Sequence, residues 1–242
     1  MVQVWSKPSP RWAYGGQMAL VVAHRGASAA VPPGNTVEAF VEAVAQGADW
    51  VELDVHLTAD GEAIVHHDSV LADGRVIGEL MLDELPESIP TLRNVFRSCS
   101  PLGVNVEIKP DGLASLRPLL IERVVEILVS FDEEREFLVT SFDHDIVDEV
   151  RALAPTLPTG LLNADGESLE SDLERAARDG HVAINPWHGL VDRKFVDRAH
   201  ALGIAVNVWT VDGEQEIRTL SEAGVDAIIT NVPRFCRQVL SQ

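Results

Sequence analysis

An eight-stranded α/β barrel, (β/α)8, is the fold class this sequence predicts, with a short β-hairpin and a reduced cap after the second strand. Three observations predict it. Short β-branched apolar runs alternate with amphipathic helical patterns along the whole chain. Nine such runs can be counted, but two of them are separated only by HLTADGEA, too short for a parallel crossover. Polar and titratable residues gather at the C-terminal ends of the runs, where such a barrel carries its chemistry.

The elements follow in order. ALVVAH (19–24) reads as the first strand and TVEAFVEAVAQG (36–47) as the first helix. In that helix Val37, Phe40, Val41 and Val44 recur at helical spacing and Gly47 closes it. WVELDV (50–55) is the second strand. AIVHHD (63–68) folds back on it through the turn dipeptide Asp60-Gly61, as the second arm of a hairpin. That turn is expected to set Asp54 opposite His67, returning a histidine to the level of the second-strand carboxylates. TLRNVFRSC leads into GVNVEIK (103–109), and LASLRPLLIERVVEILVSF reads as one long helix that tolerates Pro118. EFLVTSF (136–142), TGLLN (159–163), HVAINPW (181–187), IAVNVWTV (204–211) and DAIITN (226–231) are each followed by a helical stretch. Residues 1–18, with Pro8 and Pro10, read as a lead-in, and 19–242 as a single catalytic barrel.

Composition narrows the partners. The 242 residues carry 19 basic and 38 acidic side chains, a net charge of -19. Nucleic acid and anionic membranes want basic surface, so neither is expected as a partner. No apolar stretch approaches the roughly 18 to 20 residues that span a bilayer, and residues 1–18 hold no apolar run of signal-peptide length. Cys99 and Cys236 show no CxxC spacing, which speaks against a zinc knot or disulfide framework. A cytoplasmic protein is the expectation, and no feature of the sequence fixes an oligomeric state. An anionic substrate would need a local positive charge held against the field of the whole protein.

The strand ends supply one. His24 and Arg25 follow the first strand, Glu52 and Asp54 lie on the second, and Glu107 and Lys109 on the next parallel one. Later strands end in Ser141, Asn163, Asn185, Trp209-Thr210 and Asn231. Residues two apart on a strand point to one side, so Glu52 pairs with Asp54 and Glu107 with Lys109. Three inward carboxylates cannot all stay charged without a counter-ion. Glu52, Asp54 and Glu107 therefore read as hard oxygen ligands for a divalent cation, Mg²⁺ or Ca²⁺. Any one of them alone would read as half of an ion pair. Arg25 and Lys109 suit a phosphate, and His24 and His67 suit a general acid and base. Alternation sends His66 the other way, and His56, His144, His181, His188 and His200 read as surface or capped residues.

These residues resemble a known family, the glycerophosphodiester phosphodiesterases. AHRG, NTVEAF, VELDVHLTADGEAIVHHD, IPTL, NVEIKP, TSF, VNVWTVD and DAIITNVP occur in the family's order across residues 23 to 233. The resemblance implies a metal-dependent hydrolysis of glycerophosphodiesters to glycerol 3-phosphate and an alcohol. It implies His24 and His67 as the acid–base pair, Glu52, Asp54 and Glu107 as metal ligands, and Arg25 and Lys109 as phosphate contacts. Trp209 is similar to the aromatic that lines the alcohol side of the family's pocket. Two departures stand out. PGNT (33–36) replaces the family's PENT, so Gly34 stands where relatives carry a glutamate near the metal site. The segment SVLADGRVIGELMLDELPES is shorter than the usual cap, with Arg75 as a candidate for its missing contact. Competing readings are a lysophospholipase D- or sphingomyelinase D-like enzyme on the same barrel, a non-catalytic phosphate-binding barrel, and a barrel acting on sugar phosphates.

Overall fold

The computed structural model describes residues 18–131 and 136–242; the expected lead-in lies, except for Met18, outside them. In chain order the strands are β1 (Leu20–His24), β2 (Trp50–Leu57), β3 (Ala63–Val65), β4 (Gly103–Ile108), β5 (Phe137–Ser141), β6 (Thr159–Asn163), β7 (Ala183–Pro186), β8 (Ala205–Val208) and β9 (Ala227–Thr230). The helices are α1 (Val37–Ala45), α2 (Leu92–Ser98), α3 (Arg117–Ser130), α4 (His144–Leu153), α5 (Leu169–Asp179), α6 (Arg193–Ala201), α7 (Glu214–Ala223) and α8 (Pro233–Leu240). Every strand except β3 runs parallel to its neighbours, and β1 pairs with both β9 and β2. The sheet is therefore closed: a (β/α)8 barrel with β3 as the extra, antiparallel arm on β2.

Hydrophobic alternation explains the layering. Inward positions of the strands pack Val22, Trp50, Leu138, Ala227 and Ile229 along the barrel axis. Trp50 sets a local constraint on the next strand, because a Cβ on Gly103 would stand 2.2 Å from its indole. Outward positions meet the helices in two larger apolar clusters, one centred on Phe40, Phe96 and Val106, the other on Leu161, Phe195 and Ile228. Higher in the barrel the lining turns polar. Thr140 Oγ1 donates to Asn105 Oδ1 at 3.0 Å, and Asn207 Nδ2 to Asn185 Oδ1 at 3.3 Å.

Two local expectations need correction. The β2–β3 register pairs Val55 with Val65, so Asp54 stands opposite His66, whose N–H donates to the Asp54 carbonyl at 3.1 Å. His67 is one residue further on. The reason is the turn: Thr58 N–H meets the Glu62 carbonyl at 3.0 Å, which centres the hairpin on Asp60 rather than between Asp60 and Gly61. The long helix begins at Arg117 rather than at Leu113, so Pro118, which it does tolerate, lies in its first turn, where a missing N–H costs nothing. A 3₁₀ turn, Ala114–Leu116, precedes it.

The segment after β3 forms a small cap with its own apolar centre of Ile64, Leu71, Ile77 and Leu85. Arg75 is spent inside it, pairing with Asp73 at 2.8 Å and donating to the Glu84 carbonyl at 2.9 Å. No helix among the described residues is long and apolar enough to cross a membrane.

Candidate active site

Two strands deliver the three acidic residues. Glu52 and Asp54 share one face of β2, and the parallel register sets Glu107 of β4 directly beside Asp54. One carboxylate oxygen from each lies within 4.8 Å of the others, and all three side chains are buried. Burial, then the charges of Asp54 and Glu107, push the Glu52 carboxyl well above its usual range. Burial and Asp54 push Glu107 up to about 7.

Two cationic side chains face these three carboxylates. Arg25 Nε lies 3.3 Å from Asp54 Oδ2, and Lys109 Nζ lies 2.9 Å from Glu107 Oε1 and 3.5 Å from Asp54 Oδ1. Burial works against the Lys109 ammonium, but Glu107 and Asp54 outweigh it and hold its pKa above the ordinary value. The Arg25 backbone N–H donates to Glu52 Oε2 at 3.0 Å, and Asn35 Nδ2 donates to Asp54 Oδ2 at 2.7 Å. Even so, neither Glu107 Oε1 nor Arg25 Nε makes an aligned hydrogen bond. A buried carboxylate oxygen that meets one ammonium and no other donor, beside two more carboxylates, is the donor set a hard divalent cation takes.

Each flanking histidine has its Nδ1 engaged. His24 Nδ1 meets Asn231 Oδ1 at 2.7 Å, an oxygen that also accepts from Ser28 Oγ at 2.8 Å. Asn231 Nδ2 donates in turn to Asp212 Oδ2 at 2.6 Å, and its backbone N–H to Asp212 Oδ1 at 2.8 Å. A carboxylate only accepts, so this chain turns the Asn231 oxygen toward His24 and assigns the imidazole its Nδ1–H tautomer. Nε2 then carries the free lone pair, 4.0 Å from Glu52 Oε2. Burial lowers the His24 pKa against the opposing effect of the Asn231 bond. His67 Nδ1 donates to Asp68 Oδ1 at 2.6 Å, with the side chain 40% exposed.

His24 and His67 line one cavity of about 80 Å³ together with Arg25, Glu52, Glu107 and Lys109. Trp209 and Phe142 form an apolar wall of the same cavity, edge to face with ring centres 5.5 Å apart. Trp209 Nε1 is fixed by the Asn185 carbonyl at 2.7 Å. All eight residues singled out in the sequence thus meet here, Asp54 through its carboxylate neighbours. His66 turns away to the far side of the hairpin, and Arg75 is absent from the cavity.

Other residues escaped the sequence reading. Asn35 and Asp212 sit in recognised motifs but gave no local sign of holding Asp54 and Asn231. His56 is no surface residue: it is 2% exposed and donates Nε2–H to the His67 carbonyl at 3.1 Å. His144, His181 and His200 are capped as expected, by the Leu162 carbonyl, by Thr159 and Asp148, and by Asp226. Gly34 has φ +83°, and a Cβ there would stand 2.8 Å from both Cβ and O of Arg25. The loop of this chain has no room for the glutamate that the resemblance implies at this position.

Comparison with known proteins bears on this geometry. The profile of the "Glycerophosphoryl diester phosphodiesterase family" matches residues 24–234. The chain belongs to that family. A glycerophosphodiester phosphodiesterase of Caldanaerobacter subterraneus subsp. tengcongensis is 34% identical over 235 residues, spanning 88% of this chain and 94% of that protein. Among solved structures, a phosphodiesterase of Oleispira antarctica in complex with its product sn-glycerol-3-phosphate superposes with TM-score 0.85 at 26% identity. The match covers 93% of this chain and 98% of that one. The glycerophosphodiester phosphodiesterase of Thermotoga maritima gives TM-score 0.78 at 26% identity, over 93% and 100% of the two chains. Both the barrel and the enzyme class expected from the motifs, a glycerophosphodiester phosphodiesterase, agree with the family.

Proposed function

We propose that this member of the family hydrolyses glycerophosphodiesters to glycerol 3-phosphate and an alcohol, with a divalent cation, Mg²⁺ or Ca²⁺, held by Glu52, Asp54 and Glu107. The observation that carries this reading is the convergence of three buried carboxylates between two histidines whose Nδ1 atoms are already occupied. When bound, such a cation supplies Lewis-acid charge beside a phosphoryl oxygen. The Oleispira antarctica relative, with glycerol 3-phosphate as its bound product, supports the choice of product.

The chain's own groups divide the remaining work. Arg25 and Lys109 place positive charge where a phosphate would otherwise meet the field of a strongly acidic protein. His24 leans on a neutral amide, Asn231, and offers a free Nε2 lone pair, which suits the base that takes the nucleophile's proton. His67 leans on the Asp68 carboxylate, which orients its ring and suits the acid that gives its Nε2 proton to the leaving alkoxide. Trp209 and Phe142 give one ester arm an apolar wall.

The test is direct. EDTA, His24→Ala and His67→Ala are each applied to the hydrolysis of glycerophosphocholine. Each treatment is expected to lower the rate by about 10²- to 10⁴-fold. Turnover that survives all three would refute the assignment.

A further inference from the structure

A second cavity of about 100 Å³ lies against the first, between the cap and the loop that follows β4. Lys109 belongs to the walls of both. His56, which holds the His67 carbonyl, lines the second one too. Leu57, Val76, Ile77, Leu113, Leu116 and Leu120 make most of its surface. Its polar groups come from Ser69, His56, Lys109 and Arg117, with no carboxylate and no six-membered aromatic ring among the described lining residues. A quaternary ammonium is recognised by aromatic faces or acidic groups; the lining carries neither, and the half-exposed Asp111, whose Oδ1 lies 3.9 Å from His56 Nε2, is not part of it. Leu113, 37% exposed, is the most solvent-exposed of these apolar side chains.

We propose that this slot receives an uncharged alkyl chain on the alcohol arm of the phosphodiester, making the enzyme selective for apolar alcohol esters over choline esters. The inference rests on the phosphodiesterase reading above. A cavity of 150 Å³ accommodates benzene, so this one has room for about four carbons. The slot adjoins the first cavity at Lys109, and His56 in its wall holds the His67 carbonyl, so an alcohol seated there departs on the His67 side of the site.

The experiment measures kcat/KM for glycerol phosphodiesters of methanol, ethanol, propanol and butanol, with glycerophosphocholine as the charged comparison. Wild-type kcat/KM rises about fourfold for each methylene (about 0.8 kcal/mol per buried CH₂), and the butyl ester outpaces the choline ester. Ala114→Trp fills the slot from its exposed edge and brings the butyl-to-methyl ratio close to one. Leu113→Ser lowers the same ratio severalfold, a second reading should the tryptophan disturb the loop. A wild-type ratio near one, or a ratio that neither variant changes, overturns the proposal. Absence of turnover with every ester instead refutes the phosphodiesterase reading. Calorimetric binding of the same esters then decides the slot, and equal affinity for butyl and methyl esters overturns it.

Discussion

His24 and Asn231, 207 residues apart in sequence, meet through a 2.7 Å bond between Nδ1 and Oδ1 at the mouth of the barrel. The bond joins the first strand to the last, so closure of the barrel and orientation of the imidazole are one event. Asp212 fixes which way the amide faces, through two bonds of 2.6 and 2.8 Å.

Replacing Asn231 with Leu removes the acceptor while keeping the volume. The His24 ring is then free to change tautomer and to rotate. Partners of this kind are worth about 10- to 100-fold in related sites. We expect kcat for glycerophosphocholine to fall by that factor with KM little changed, and Asn231→Asp to recover part of it. Equal kcat in the Leu variant and wild type would show that Asn231 has no positioning role.

Gly34→Glu installs the residue that the resemblance implies here but is expected to harm this protein. The site demands φ +83°, and the new Cβ would press on Arg25 and Ser28 at 2.8 to 2.9 Å. Left-handed backbone alone costs a bulkier residue about 1 to 3 kcal/mol. Thermal melting should drop by about 2 to 10 °C for a chain of this size, and cation-dependent turnover should fall rather than rise. A variant as stable as wild type and more active would mean that the loop readily adopts a second conformation.

Cation binding should stabilise the protein, and more so at higher pH. Glu107 is held near 7, above its unfolded value, first by burial and then by Asp54. A raised folded pKa gives stability that is complete below about 4.5 and is lost as pH climbs through 7. A bound cation takes the proton's place and offsets that loss, so its affinity grows as the proton leaves. Saturating Mg²⁺ or Ca²⁺, at about 100 times Kd, adds about 2.7 kcal/mol, or roughly 5 to 10 °C in Tm. Melting curves at pH 5.5 and pH 8 with and without cation should show the larger gain at pH 8. The same gain at both values would place the cation elsewhere.

Which parts of this architecture were legible in the sequence follows from the range of the interactions involved. Strand and helix periods are local, so the alternation from Leu20 to Leu240 could be read directly. Glu52 and Asp54 share a face because they are two residues apart, and their approach to Glu107 followed once β2 and β4 were parallel neighbours. The hairpin was legible but its register was not, because Thr58 and Glu62 close a turn one residue wider than Asp60-Gly61 suggests. Asn231 against His24, Asn35 against Asp54 and His56 beneath His67 depend on tertiary packing, which no local pattern records. The strain at Gly34 was hidden for the same reason: its neighbours Arg25 and Ser28 approach only in the folded loop.

His56 provides the last prediction, because it supports His67 from beneath without reaching the cavity that holds the two histidines. Burial lowers its pKa, against the opposing bond to the His67 carbonyl, so near neutral pH it is an uncharged donor. Its Nε2–H then anchors the His67 backbone at 3.1 Å. His56→Leu keeps the bulk and removes that donor, leaving the His67 carbonyl without its partner, at a cost of about 1 to 3 kcal/mol if no water replaces it. His67 is half-exposed and its ring is held by Asp68, so without the anchor beneath it the ring should wander from the position that serves the leaving group. We expect kcat to fall about tenfold or more, since a 1 Å displacement in an active site can cost about 10²-fold. KM for glycerophosphocholine, whose charged arm the slot does not take, should stay within about twofold, because only transition-state proton transfer suffers. His56→Gln, which retains an N–H donor, should recover much of the loss. A Leu variant with wild-type kcat, or a Gln variant no better than Leu, would show that the bond merely fills space in the hairpin.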